Sequence, residues 1–423
     1  MKKCIKLSAA LISAVLLSGC GSEASSLPDD TPFNCGKFAV METEKGYYTN
    51  TDTANGHILG YWERDTDKYV YLCAKPECTH DGSENCTATY KNLKCINTLL
   101  YDGAIYTLAI EDGDNISYSL YKAALDGTSF TKVGDAFSVS NSAGESYSIM
   151  NKIYFMIHRG YAYIPYHLTL GDSTFGFAGS GLVKMDIRTG KTETLFSGDD
   201  YFSAYPMKEM GVGDYVYYFA GSSTNNDPNE GTYRYNTKTG ETDKLADHIN
   251  GIVMDEEHYY DFGAYDDGSY CIMTLDIDSP TLDGKWENLG GHINDGLHMT
   301  ENGCFSFMPK LMLYEDKIAA VSINENDILI MSKSGEVLGS GKYDFNEISG
   351  YSGELFKEYN ISEGKLYVNI RALASPYNDY EQNVFSIPLS DIGSENGSWK
   401  FEYGIKSQWQ INQETGGDTN ADD

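Results

Sequence analysis

The chain has 423 residues, of which 31 are Lys or Arg and 62 are Asp or Glu, giving a formal net charge of −31. A surface this acidic repels phosphate backbones and anionic headgroups and attracts cations, so nucleic acid is excluded as a partner. With 34 tyrosines and 43 glycines and no window of sustained i, i+3, i+4 apolar spacing, the composition points to one large all-β domain.

The first residues read as an export signal. Lys2, Lys3 and Lys6 precede an apolar run from Leu7 to Leu17. That run is too short to cross roughly 30 Å of hydrocarbon as a helix, which takes about 20 residues. It ends in Leu17-Ser18-Gly19-Cys20, which resembles the lipobox of bacterial lipoproteins. The resemblance implies cleavage before Cys20 and lipidation of its thiol, so residues 1–19 are a signal peptide and the expected location is extracytoplasmic, lipid-anchored to the cell membrane. Loss of Lys2, Lys3 and Lys6 from the 31 basic residues leaves 28 against 62 acidic ones, a net charge of −34. Residues 20–34 are Ser-, Asp- and Pro-containing with little apolar content and read as a flexible tether. Residues 413–423 read as an acidic, disordered tail.

Between them, residues 35–412 repeat one unit. Its clearest copy runs from Asp102 to Thr128, with alternating apolar and polar positions through Ile105, Thr107, Leu120 and Lys122 and an Asp-Gly turn at Asp126-Gly127. Second-strand markers recur at Gly46-Tyr47-Tyr48, Ile105-Tyr106, Ile153-Tyr154, Tyr215-Val216-Tyr217, His258-Tyr259-Tyr260, Lys317-Ile318-Ala319 and Lys365-Leu366-Tyr367. Third-strand markers follow at Leu182–Lys191, Thr232–Glu241, Ile272–Asp278, Ile328–Glu336 and Val384–Leu389. The spacing holds four strands plus loops, the content of a propeller blade, and small sheets of this kind bury their faces only against one another. The expected fold is a β-propeller with seven blades by direct count, six or eight being left open by irregular first and last units. Trp399–Tyr403 is expected to close the ring by pairing with an N-terminal strand.

Cys73, Cys78, His80 and Cys86 fall within one short segment, and Cys95 follows. Three thiols and an imidazole make a closed Cys3His set suited to a structural zinc. In an exported chain, disulfides among Cys73, Cys78, Cys86 and Cys95 are the competing reading. His80 keeps the metal reading open beside the disulfide one, because a disulfide has no use for a histidine two residues from a cysteine. Cys35, Cys271 and Cys304 are scattered and expected to pack as small apolar residues.

No Gly-x-Ser-x-Gly elbow or His-Glu-x-x-His helix is present, and the abundant carboxylates single out no glycosidase pair, so no catalytic residue is assigned. Gly335–Lys342 has the wrong spacing for a phosphate loop and reads as a hairpin turn. Asn225, Asp227 and Asn229 alternate without the closing glutamate of a calcium loop. In the third unit, Arg159 stands beside Tyr161, Tyr163 and Tyr166, read as an aromatic face for a sugar ring or peptide; core packing is the competing reading.

Taken with the lipobox, the repeated Leu-Tyr-x-x-x-Leu-Asp-Gly-Thr pattern and the Cys73–Cys86 segment, the chain resembles the TolB-like β-propeller lipoproteins of Gram-positive bacteria, largely a family of unknown function. The repeat speaks to fold and leaves activity open. The favoured function is a non-enzymatic binding or scaffold module for an extracellular glycan, peptide or protein; the alternative is an extracytoplasmic carbohydrate-active hydrolase.

Overall fold

The computed structural model describes residues 41–43, 45–53, 56–63, 68–80, 86–90, 93–111, 115–140, 147–149, 155–170, 177–198, 210–220, 230–247, 252–294, 309–322, 325–351, 355–373, 380–395 and 397–405. Cys20, Cys35, Cys304, the Asn225–Asn229 loop and the acidic tail lie outside them. The described residues form seven antiparallel sheets, each drawn from one continuous stretch of chain with its strands in sequence order. Blade one holds Met41–Thr43, Gly46–Thr53, Gly56–Glu63 and an outer strand in two pieces, Lys68–Tyr71 and Thr89–Tyr90. Blade two holds Leu93–Tyr101, Ala104–Glu111, Asn115–Ala124 and Phe130–Ser140. Blade three has a first strand in two pieces, Tyr147–Ile149 and Met156–His158, then Tyr161–Leu170, Phe177–Asp186 and Thr192–Gly198.

Blade four comprises Met210–Val212, Tyr215–Ala220, Gly231–Asn236 and Thr242–Ala246, and blade five Val253–Met254, His258–Ala264, Tyr270–Asp276 and Glu287–Ile293. Blade six comprises Lys310–Tyr314, Lys317–Val321, Asp327–Ser332 and Val337–Lys342, and blade seven Phe356–Ser362, Lys365–Leu373, Tyr380–Pro388 and Lys400–Ile405. First strands of successive blades touch, as between blades three and four or five and six, which places them nearest the common axis. Burial follows that placement. Residues 328–331 on the third strand of blade six are fully buried, whereas Val337 and Leu338 on its outer strand are exposed.

Strand period decides which neighbour each side chain meets. In Tyr215–Ala220, Val216 and Tyr218 face blade three, while Tyr217 and Phe219 face blade five. The other interfaces are built alike, joining blades one and two, two and three, five and six, and six and seven. This double-faced burial explains why the strands read as apolar and aromatic rather than as simple alternations.

Turn chemistry repeats with the blades. The first residue of the third-to-fourth-strand turn donates its N–H to the turn between the first and second strands: Ile187 to Gly160, Thr237 to Asp214, Ile277 to Glu257, Lys333 to Asp316 and Leu389 to Gly364. Side-chain oxygens of Asp126, Asp186, Asn236 and Asp276 accept backbone N–H groups two residues on, in Asx turns. Asp102-Gly103, with φ of 45° and 68°, supplies the two left-handed residues that a tight hairpin between twisted strands needs.

Six of the seven second-strand markers fall on second strands. The third does not: Ile153-Tyr154 lies outside the described residues, and the second strand is Tyr161–Leu170, which follows it. For Trp399–Tyr403, any partner strand before residue 41 lies outside the described residues. Lys400–Ile405 pairs with Gln382–Ser386 as the outer strand of its own blade. Gly335–Lys342 is the expected hairpin turn and strand. The described helical residues are a five-residue helix, Phe345–Ser349, capped by Asp344, and a single 3-10 turn, Leu389–Asp391.

Candidate metal centre

The cysteine segment is an excursion from the outer strand of blade one. Lys68–Tyr71 pairs with Gly60–Glu63, and Thr89–Tyr90 resumes on His57–Ile58. Both ends of the excursion meet at one residue: Leu72 N–H donates to Leu59 O (2.9 Å), and Leu59 N–H donates to Ala88 O (2.8 Å). The chain therefore leaves and re-enters the sheet without breaking its ladder. The neck rests on the Asp126-Gly127 turn of blade two, whose Gly127 carbonyl accepts from Ala74 N–H (3.1 Å) and from the Thr87 hydroxyl (2.7 Å).

Within the excursion, one ligand atom each from Cys73, Cys78, His80 and Cys86 lies within 4.8 Å of the other three. Tetrahedral bonding at about 2.0–2.3 Å needs ligand atoms roughly 3.3–3.8 Å apart, so a small contraction turns this group into a metal site. Cys86 Sγ already stands 3.6 Å from His80 Nδ1. The Cys73, Cys78 and Cys86 sulfurs are thiols, with no disulfide among the described residues. Cys95 lies on the first strand of blade two.

His80 adopts a φ of 53°, uncommon for a side chain larger than glycine and worth about 1–3 kcal/mol of strain, and its ring packs on Tyr71 at 4.4 Å. Burial raises the Cys73 thiol, but hydrogen bonds from the Thr87 hydroxyl, the Lys75 and Thr87 backbone and Cys78 outweigh it and bring it down to about 7. A backbone hydrogen bond at His80 lowers Cys78, but burial and the neighbouring Cys86 and Cys73 sulfurs together raise it. One thiolate forms readily and a second is resisted by crowding, a conflict that a bound cation removes. The donor set and its closeness therefore suit a metal ion.

The aromatic strand of blade three is interior. Tyr163 is fully buried and meets Tyr235 of blade four edge-on, while Tyr166 is 8% exposed and stacks on Phe137 of blade two at 3.9 Å. The expectation of one tyrosine face fails on parity: Tyr161 and Tyr163 point toward blade four and Tyr166 toward blade two. Tyr161 is half-buried beneath Lys184 Nζ, 4.7 Å from the ring centroid.

Arg159 occupies a tight turn with Gly160 and pairs with Asp214 of blade four. Lys238 Nζ joins the same carboxylate at 2.6 Å, and the two cations hold the Asp214 carboxyl below its ordinary range, Lys238 foremost. His158 is buried, with Nε2 2.9 Å from Gly213 O and its ring filling the space above Gly211. Tyr163 and Tyr166 thus pack between blades rather than present a ligand surface, and Arg159 links blade three to blade four through Asp214.

One grouping escaped the sequence. Ser269 Oγ stands 2.8 Å from His292 Nε2 and 2.6 Å from Asp267 Oδ1, with His292 Nε2 3.3 Å from Asp267 Oδ2. Serine and aspartate share one imidazole nitrogen, whereas a nucleophile relay needs one on each. Its hydrogen bonds therefore fasten a turn. Cys271 is buried beside Met273, as expected for a small apolar residue.

No family model matches the sequence, and no curated protein matches it significantly. Among solved structures the chain is similar to an oligogalacturonate lyase from Vibrio parahaemolyticus, at a TM-score of 0.47 and 10% identity over 87% of this chain and 91% of that one. It is similar to TolB from Acinetobacter baumannii at 0.34 and 11%, over 71% and 63%. An uncharacterized protein from Listeria monocytogenes gives 0.34 and 9%, over 89% and 86%. The β-propeller assignment itself rests on the order of strands within each sheet and the packing between successive sheets.

Proposed function

We propose that the protein is a cell-surface module, lipid-anchored to the cell membrane through Cys20, that binds an extracellular glycan, peptide or protein with one end of its propeller. A structural zinc on Cys73, Cys78, His80 and Cys86 belongs to this reading. The supporting observation is an asymmetry of connections. Turns 102–103, 159–160, 315–316 and 363–364 join strands at one end and are two residues long, whereas the strand ends at Gly198, Ala220, Ile293 and Lys342, from which longer stretches of sequence run to the next strand, all lie at the other. Loops held by a rigid scaffold are where binding residues concentrate. The longer connections at the first end, 277–286 and 389–399, are tied down by Leu282 N–H to Leu245 O, Trp286 Nε1 to Leu282 O and Gly393 N–H to the Tyr343 hydroxyl.

A glycan and peptide array probed with the soluble chain lacking residues 1–20 tests this. The expected result is saturable binding to one ligand class with the ligand recovered intact. Recovery of shortened glycans in place of a stable complex would make it a hydrolase instead.

A further inference from the structure

We infer that the metal held by Cys73, Cys78, His80 and Cys86 staples the first blade to the second. The inference rests on the zinc reading above and adds what the metal is for. Every sheet is made from one continuous stretch of chain, so blade one is joined to blade two by side-chain packing and turn contacts rather than by a shared strand. Its outer strand is also the one that is interrupted.

The ligands sit where that interruption meets the neighbour. Cys73 directly follows Leu72, the last residue held on Leu59, and Cys86 directly precedes Thr87, whose hydroxyl rests on Gly127 O. The first and last ligands thus lie on the two strands of the neck, with Cys78 and His80 between them. A cation bonded to all four ties those strands together at the point where both touch blade two.

The receiving turn is shaped for the contact. At Gly127 (φ 69°) a Cβ would come within 2.7–2.8 Å of Leu72 and Cys73 backbone atoms, so the two backbones meet directly. Beneath them Leu72, Cys86 and Ala88 pack in the same core as Ile105 and Ala123 of blade two. Loss of the metal would remove the link between the two strands of the neck and leave its contact with blade two to the hydrogen bonds on Gly127 O and the apolar packing beneath. The excursion and the blade edge should open together, as one local unit.

Hydrogen exchange on the soluble full-length mature chain, before and after zinc chelation and after zinc is restored, tests this. The staple predicts one equivalent of zinc. It also predicts exchange at least about tenfold faster after chelation in peptides covering 56–63, 68–90 and 125–129, reversed by zinc, with 210–342 unchanged. Bound zinc whose removal leaves those peptides protected would overturn the staple and keep the zinc reading. Blocked thiols without zinc would overturn both. A uniform rise in exchange across all blades would overturn the local role. His80→Ala should reproduce the chelated pattern, and Cys271→Ala should keep the zinc and the protection.

Discussion

Gly103 and Gly127 share nearly the same backbone, φ 68° and 69°, but a Cβ on Gly103 meets nothing within 4 Å while one on Gly127 meets the Leu72–Cys73 backbone. Gly103→Ala should therefore cost only the left-handed penalty, about 1–2 kcal/mol. Gly127→Ala adds overpacking and should cost about 2–5 kcal/mol. Urea unfolding of the two variants measures the difference. Asp255 gives a second residue-scale expectation. Burial raises its carboxyl, but Lys333 of blade six at 2.6 Å and the Glu257 and His258 amides outweigh it and hold it below the ordinary 3.8.

Because the folded value lies below the unfolded one, Asp255 stabilises the fold fully above the unfolded value and loses that contribution as pH falls below about 4. Asp255→Asn should cost about 1–3 kcal/mol at pH 7 and much less at pH 3, read from urea midpoints at both pH values. The four candidate ligands were legible as residues, since His80 within a run of cysteines kept a metal reading open beside the disulfide one. Their anchoring was not, because it depends on Leu59 and Gly127, distant in sequence and chemically unremarkable.

At the scale of elements, strands were legible wherever a blade keeps its four-strand rhythm, since tight turns and aromatic second strands recur in phase. In blade three the marker Ile153-Tyr154 precedes the second strand, Tyr161–Leu170. Its tyrosines were then read as a binding face, although counting in twos from Tyr161 already sends Tyr166 to the opposite side. The structure makes Tyr163 and Tyr166 core rings, and replacement of either by alanine should cost roughly 3–5 kcal/mol. Tyr161→Ala, at a half-buried ring, should cost visibly less, and thermal melts of the three single variants decide it. The Ser269–His292–Asp267 grouping joins a turn to an outer strand across a register that local patterns do not encode.

For the molecule as a whole, repetition made the propeller legible, because a sheet buried on both faces by its neighbours needs the same pattern again and again. The ligand was not legible, because a propeller fixes where loops emerge and leaves their chemistry to sequences that need not repeat. The proposed address rests on the first twenty residues of the sequence alone. Cys20→Ala should abolish lipidation and leave the protein unprocessed or shed from cells, seen as its loss from the membrane fraction. The most direct measurement of the account is the intact mass of wild-type protein extracted from membranes with detergent. The predicted result is a chain beginning at Cys20 with an acyl-bearing modification on that residue; a mature chain with an unmodified Cys20, or one retaining residues 1–19, would contradict it.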